Sequence, residues 1–241
     1  MTRSGNLILT PTRPVTSSVP RVPFRLSSRG TYIRAGTAGK PLVDFAPERA
    51  GVPPCCAAMP ATTAVLAISG SLRAHSSNTE LLRACALVAP VDVRVELYQG
   101  LATLPHFNAD LDTADPPADV AAWRARIATA DALLVSSPEY ARGVPGTLKN
   151  ALDWLVGSSD VVGKPVALLN GSPRASHAQA SLALTLRTIS ARLIRDEPYL
   201  APVLGTRLEA ADIVTDPSLA AVLRTVLRDL TAAARSPATP A

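Results

Sequence analysis

The chain has 241 residues, 47% hydrophobic but only 4% aromatic, with a formal net charge of +5, so it suits one mostly aliphatic domain with an appendage or two small domains. No apolar run approaches the roughly 18 residues of a membrane span, and neither Cys55, Cys56 and Cys85 nor His75, His106 and His177 are spaced as a disulfide framework or a metal site. The charge does not mark a nucleic-acid partner either: residues 1–58 carry eight basic and two acidic residues, whereas 59–241 carry sixteen basic and seventeen acidic, a net of −1.

In chain order, residues 1–58 come first and are unlike the rest. Pro, Ser, Thr and Arg dominate "TPTRPVTSSVPRVPFRLSSRG", with no helical or strand periodicity, and disorder is the expectation. Three readings stand side by side. An Arg- and Ser-rich, acid-poor leader resembles an organelle transit peptide. It also suits a basic interaction tail. Alternatively, translation starts at Met59, since "MPATTAVLAISGS" is how a compact domain opening on its first strand begins. The domain is expected over 59–235, in a cytoplasmic protein, with 236–241 a disordered tail.

From Met59 onward strands and helices alternate. Ala64–Ser69 is a short apolar run consistent with a strand buried on both faces, followed by a helix over Thr79–Val88. "DVRVELY" alternates strictly, with Val93, Val95 and Leu97 on one side, and so has one wet face, as an edge strand does. A helix over Asp119–Ala130, a buried strand in "DALLVSS" and a helix opening at Pro145 follow, the last burying Leu148, Ala151, Leu152 and Leu155. "KPVALLN" is another buried strand and Ala178–Leu193 another helix. A final strand is expected around Ile194–Pro202, and Asp216-Pro217 signals the start of the closing helix. Repeated strand–helix units predict an α/β fold, a doubly wound five-stranded parallel sheet of flavodoxin-like order 2-1-3-4-5 with helices on both faces. In that order a ligand lies outside the carboxyl ends of strands 1 and 3.

The unusual segments follow strands 1, 3 and 4. After strand 1 comes Ser69-Gly-Ser-Leu-Arg-Ala-His-Ser-Ser-Asn78, where Ser71, Ser76, Ser77 and Asn78 offer hydrogen bonds and Arg73 a fixed charge. The helix that follows adds free N–H groups and the positive end of its dipole. A helix N-cap requires one such side chain rather than five, so the loop points to a phosphate. It lacks both the P-loop ending and GxGxxG. After strand 3, Pro138, Gly143, Pro145 and Gly146 stiffen a loop able to present amides and the Tyr140 ring to a planar ligand. Lys149 and Asp153 read as an exposed pair. After strand 4, Gly171 and Ser172 mark a turn, with Arg174 beyond.

"GSLRxxSxN" followed by "PEYxxxxPGxLKNALDW" resembles the NAD(P)H-dependent FMN reductase family, which includes quinone, chromate and azo-dye reductases, over about residues 62–200. The resemblance implies FMN and NADPH or NADH as cofactors. It places the FMN phosphate on Ser71, Arg73, Ser76 and Asn78, with Ser77 in a variable slot, and the isoalloxazine on Pro138, Glu139, Tyr140 and Gly143. Many members carry Asn, Gly, Ser where this chain has Ala141, Arg142 and Gly143. The resemblance also implies a homodimer or homotetramer and a small-molecule electron acceptor: a quinone, free flavin, chromate or azo compound.

A flavin carries such redox chemistry itself, and the sequence shows no nucleophile–base pair, so no catalytic side chain is expected. His75 reads as an exposed loop residue and Glu139 as turned away from the ring or paired. Trp154, Leu155 and Val156 are candidates for a subunit contact or for the core. Two other classes of function remain open on the residues alone. One is a flavodoxin-type electron carrier without a nicotinamide site, which usually has a strongly acidic surface; the other is a phosphate binder that takes no flavin.

Overall fold

The computed structural model describes residues 62–236; the expectation for 1–58 lies outside them, as does that for 236–241 apart from Ser236, which ends the closing helix. Strands β1 (Thr63–Ser69), β2 (Val93–Leu97), β3 (Ala132–Ser136) and β4 (Pro165–Asn170) are all parallel, and the sheet order is β2-β1-β3-β4-β5. The fifth place is shared. β5 (Arg192–Leu193) pairs with the start of β4 and β6 (Tyr199–Leu200) with its end. Of β5 and β6, only β6 lies within the last strand expected around Ile194–Pro202; β5 takes the end of the helix expected over Ala178–Leu193, and Pro198 between them lacks the N–H a continuous ladder requires.

Strand alternation divides the core in two. Leu66 and Ile68 of β1, Leu133 and Val135 of β3, and Val166 and Leu168 of β4 face α2 (Ala118–Thr129), α3 (Gly146–Asp153) and α4 (Ser176–Thr188). The intervening Val65, Ala67, Ala132, Leu134, Ala167 and Leu169 face α1 (Ser77–Val88), α5 (Ala210–Thr215) and α6 (Pro217–Arg235). Strands buried on both faces therefore read as continuous apolar runs, while β2, on the edge, keeps Arg94 exposed. Leu81, Leu82 and Cys85 give α1 its buried face, and burial pushes the Cys85 thiol up to about 12. Burial, followed by a hydrogen bond to Asp229, also pushes the Tyr199 hydroxyl up to about 12.

Helix ends shift from their sequence positions for identifiable reasons. α1 begins at Ser77 because Ser76 is its N-cap, with Oγ accepting from Thr79 N–H at 3.4 Å. α4 stops at Thr188, five residues early, because Ser190 takes a left-handed φ of 63°. The closing helix starts as expected: Asp216 Oδ1 accepts from Ser218 and Leu219 N–H at 2.8 and 3.2 Å, and Pro217 occupies the first turn. α5, absent from the sequence reading, is one short segment opened by a capping box between Glu209 and Asp212. Trp154 and Leu155 belong to the core, and of the proposed contact trio only Val156 is exposed. Trp154 Nε1 and Asn150 Nδ2 both donate to Pro105 carbonyl, at 2.8 and 2.9 Å, so α3 holds the long segment after β2. Lys149 and Asp153 pair at 2.5 Å, as expected. No helix among the described residues is long and apolar enough to cross a membrane.

Candidate cofactor site

A cavity of about 290 Å³ opens beyond the carboxyl ends of β1, β3 and β4. It is lined by ten of the eleven residues proposed from sequence: Ser71, Arg73, Ser76, Ser77, Asn78, Pro138, Glu139, Tyr140, Gly171 and Ser172. Gly143 does not reach it. Ser137, Asn170, Arg174, Ala175 and Leu204 also line it. Asn170 ends β4 and Ser137 directly follows β3, so position alone marked them. Leu204 arrives from beyond β6, where no local signal exists.

The first wall is the β1–α1 loop. Gly70 N–H donates to Ser136 carbonyl at 2.8 Å, and a Cβ on Gly70 would lie only 2.6 Å from Ser137 Oγ. The glycine thus serves the close approach of β1 and β3 ends. Ser136 Oγ and Asn78 Oδ1 bond at 2.9 Å, tying β3 to α1 as well. Ser76, 3% exposed, caps α1, while the Arg73 side chain is exposed and forms no salt bridge among the described residues. Helix geometry leaves the amides of Ser77 and Asn78 without intrahelical partners. Hydroxyls, free first-turn amides, a helix dipole and an unpaired guanidinium form a donor set that fits a phosphate monoester. His75 is exposed in the same loop.

The second wall is the β3–α3 loop. Tyr140 and Gly143 exchange backbone hydrogen bonds of 3.1 and 2.9 Å around Ala141 and Arg142, whose φ angles are 48° and 61°. Two central residues at positive φ make this a type I′ turn, the geometry that favours Asn-Gly. The departure from the pattern of many family members therefore has a physical cost: alanine and arginine each lose roughly 1–2 kcal/mol in the left-handed region. Gly143 closes this turn opposite Tyr140 and, unlike Tyr140, does not line the cavity. Tyr140, 51% exposed, stands before the turn. The Glu139 carboxylate is paired: Oε2 accepts from Ala178 N–H, in the first turn of α4, at 2.9 Å.

The third wall is the β4–α4 loop. Asn170 Oδ1 accepts from Ser172 N–H at 3.0 Å and Ser172 Oγ from Arg174 N–H at 3.3 Å, winding the loop toward α4. A Cβ on Gly171 would meet Leu81 Cδ1 at 3.2 Å, so the loop packs directly against α1. Arg174, like Arg73, is exposed and forms no salt bridge among the described residues. Glu139 is the only acidic residue in the wall, which therefore carries a net positive charge.

Comparison with known proteins agrees with this geometry. Residues 63–201 match the family model for NADPH-dependent FMN reductase. A 2-hydroxy-1,4-benzoquinone reductase of Burkholderia sp. is 40% identical over 111 residues, 45% of this chain and 60% of that protein. A quinone reductase of Pseudomonas putida is 38% identical over 114 residues, 46% of this chain and 61% of that protein. The chain thus spans about three fifths of the length of these curated relatives. The flavoenzyme FerB, an NAD(P)H:(acceptor) oxidoreductase from Paracoccus denitrificans, superimposes with a TM-score of 0.59 at 30% identity, over 71% of this chain and 98% of that one. With more than half its length matched, and with the cavity where a flavodoxin-like sheet places its ligand, the chain belongs to the NADPH-dependent FMN reductase family.

Proposed function

We propose that this protein binds FMN and is an NAD(P)H-dependent oxidoreductase that passes electrons to a small-molecule acceptor of the quinone class. The observation that carries the reading is the β1–α1 corner: a capped helix N-terminus, Arg73 without a salt bridge among the described residues, and a 290 Å³ cavity at the switch point of the sheet. Arg73, Ser71, Ser76, Ser77 and Asn78 hold the phosphate. Pro138, Glu139 and Tyr140 form the wall for the ring, with the exposed Tyr140 side chain at the mouth. Bound FMN supplies the hydride and electron transfer, and the chain supplies orientation, charge and access. Glu139 has a binding rather than an acid–base role in this scheme, with its Oε2 engaged by the Ala178 amide.

The near-neutral domain, with sixteen basic and seventeen acidic residues over 59–241, favours an enzyme over an acidic electron carrier. Free quinones, free flavin, chromate and azo compounds are all candidate acceptors, and a cytoplasmic homodimer or homotetramer is the proposed setting. The test is a visible absorption spectrum of the purified full chain with FMN, before and after NADPH without oxygen. A flavin spectrum that bleaches supports the reading. One that persists with both NADPH and NADH identifies a carrier, and a protein that takes up no FMN is a phosphate binder of another kind.

A further inference from the structure

The loop 138–143 holds two adjacent residues, Ala141 and Arg142, at positive φ. Strain of this kind persists only where surrounding contacts over-determine the backbone. On the far side of the turn the chain enters α3 directly through Pro145. On the near side, one residue before Tyr140, the fixing contact is Glu139 Oε2 with Ala178 N–H. The cap residue of α4, Ala175, provides no side-chain hydrogen bond to that 13-residue helix. A carboxylate from another segment therefore caps it, where the helix dipole favours an anion. A second tie runs from the same helix: Gln179 Nε2 donates to Ser137 carbonyl at 3.4 Å. One tie joins a loop side chain to the helix backbone and the other a helix side chain to the loop backbone, so loop and helix are held at two adjacent points.

We propose that Glu139 is a positioning residue: as the anionic cap of α4, it latches the strained Ala141–Arg142 turn, and with it Tyr140, in the conformation that receives the flavin ring. This rests on the FMN reading above. It goes beyond that reading by giving Glu139 a role that needs no contact with the ring, and by coupling that role to the two residues held at positive φ. A turn without that strain would depend less on the latch. The two features are therefore energetically coupled, and coupling is measurable.

The experiment compares four full-length proteins: wild type, Glu139→Ala, Ala141→Asn/Arg142→Gly, and all three changes together. FMN dissociation constants are read from quenching of flavin fluorescence, and the ring environment from visible circular dichroism at saturating FMN. Glu139→Ala is expected to weaken FMN about ten-fold and to alter the dichroism, the size of one charge-assisted hydrogen bond. The relieved turn alone stays within about three-fold of wild type, and the triple variant returns to that range. A merely stabilising Glu139 would leave the saturated dichroism unchanged. Equal weakening by Glu139→Ala in both backgrounds, or none, overturns the proposal. Glu139→Gln, which keeps an acceptor oxygen without the charge, serves if the alanine variant does not fold, with about three-fold weakening expected. If wild type takes up no FMN, the flavin reading fails. Hydrogen exchange at the Tyr140 and Gly143 amides of the apoprotein then tests the latch separately: about ten-fold faster exchange in Glu139→Ala supports it, and an unchanged rate refutes it.

Discussion

Two helix N-termini open onto the same cavity, and the loops leading to them are alike. Ser71-Leu-Arg73-Ala precedes α1 and Ser172-Pro-Arg174-Ala precedes α4. In both, the serine Oγ accepts the arginine N–H at 3.3 Å, and in both the arginine is exposed. They differ in what covers the helix end. α1 is capped by its own Ser76 hydroxyl, a neutral group that leaves the positive end of the dipole available. α4 has no cap of its own and receives the Glu139 carboxylate. One end is ready for an anion, and the other already holds one. Local sequence does not separate them; a carboxylate delivered by a third segment does.

The largest effect should come from Gly70, and the matching glycine of the other loop sets the contrast. Gly70→Ala would place a Cβ 2.6 Å from Ser137 Oγ, 3.0 Å from Ser137 Cβ and 3.1 Å from Leu148 Cδ2, with two elements packed too tightly to yield. Urea unfolding should show a loss of about 2–3 kcal/mol, together with loss of FMN binding. Gly171→Ala is tight only against the flexible tip of Leu81, at 3.2 Å, with Val203 Cγ2 and Asn78 Oδ1 at ordinary contact distances of 3.5 and 3.8 Å, and should cost about 1 kcal/mol or less with FMN binding retained. Equal losses from both would mean that the α1 corner is not the tighter of the two.

The arginines test the comparison most directly. Arg73→Ala removes the charge beside the open helix end and should weaken FMN by about 2 kcal/mol, roughly thirty-fold. Arg174→Ala acts beside the end that Glu139 already serves and should stay within about three-fold. A reversed order, measured by the same fluorescence titration, would transfer the phosphate to α4.

What the sequence disclosed follows the same division between local and distant causes. β1, β3 and β4 were legible because strands buried on both faces are apolar without interruption, and the edge position of β2 because its two faces differ. The α6 start was written in Asp216-Pro217. The fifth place in the order was legible but not its extent, because pairing of two dipeptides with one neighbour leaves no periodicity to read. At the site, hydroxyls and arginine advertised the α1 corner. The destination of Glu139 was invisible, since its partner is a backbone amide 39 residues away. Likewise the turn at Ala141–Arg142 was hidden because neither residue favours the φ it adopts. Ala141→Asn/Arg142→Gly should therefore stabilise the protein by about 1 kcal/mol in urea unfolding, a smaller effect than that of Gly70→Ala or Arg73→Ala.

The smallest expected effect lies on the buried face of α1, behind the open helix end. Cys85 is a free thiol among Leu81, Leu82 and the strand residues of the second core, and burial pushes it up to about 12. At pH 8 the native protein should show no reaction of this thiol with a disulfide reagent faster than unfolding itself, with or without FMN, because the reactive thiolate is suppressed. The sign of the alkaline response follows. Below about 9, where the unfolded thiol is protonated, the neutral group contributes its full share of stability. As pH rises from there toward 12, the unfolded state ionises first and stability falls, by at most about 1.4 kcal/mol per pH unit for this group. Tyr199, also raised to about 12, adds to the loss only above its ordinary value of 10. Fast labelling of Cys85 at pH 8 in the folded protein, located by peptide mapping, would show that α1 opens on its buried side, and a helix that opens there could not keep its N-terminus fixed for a phosphate.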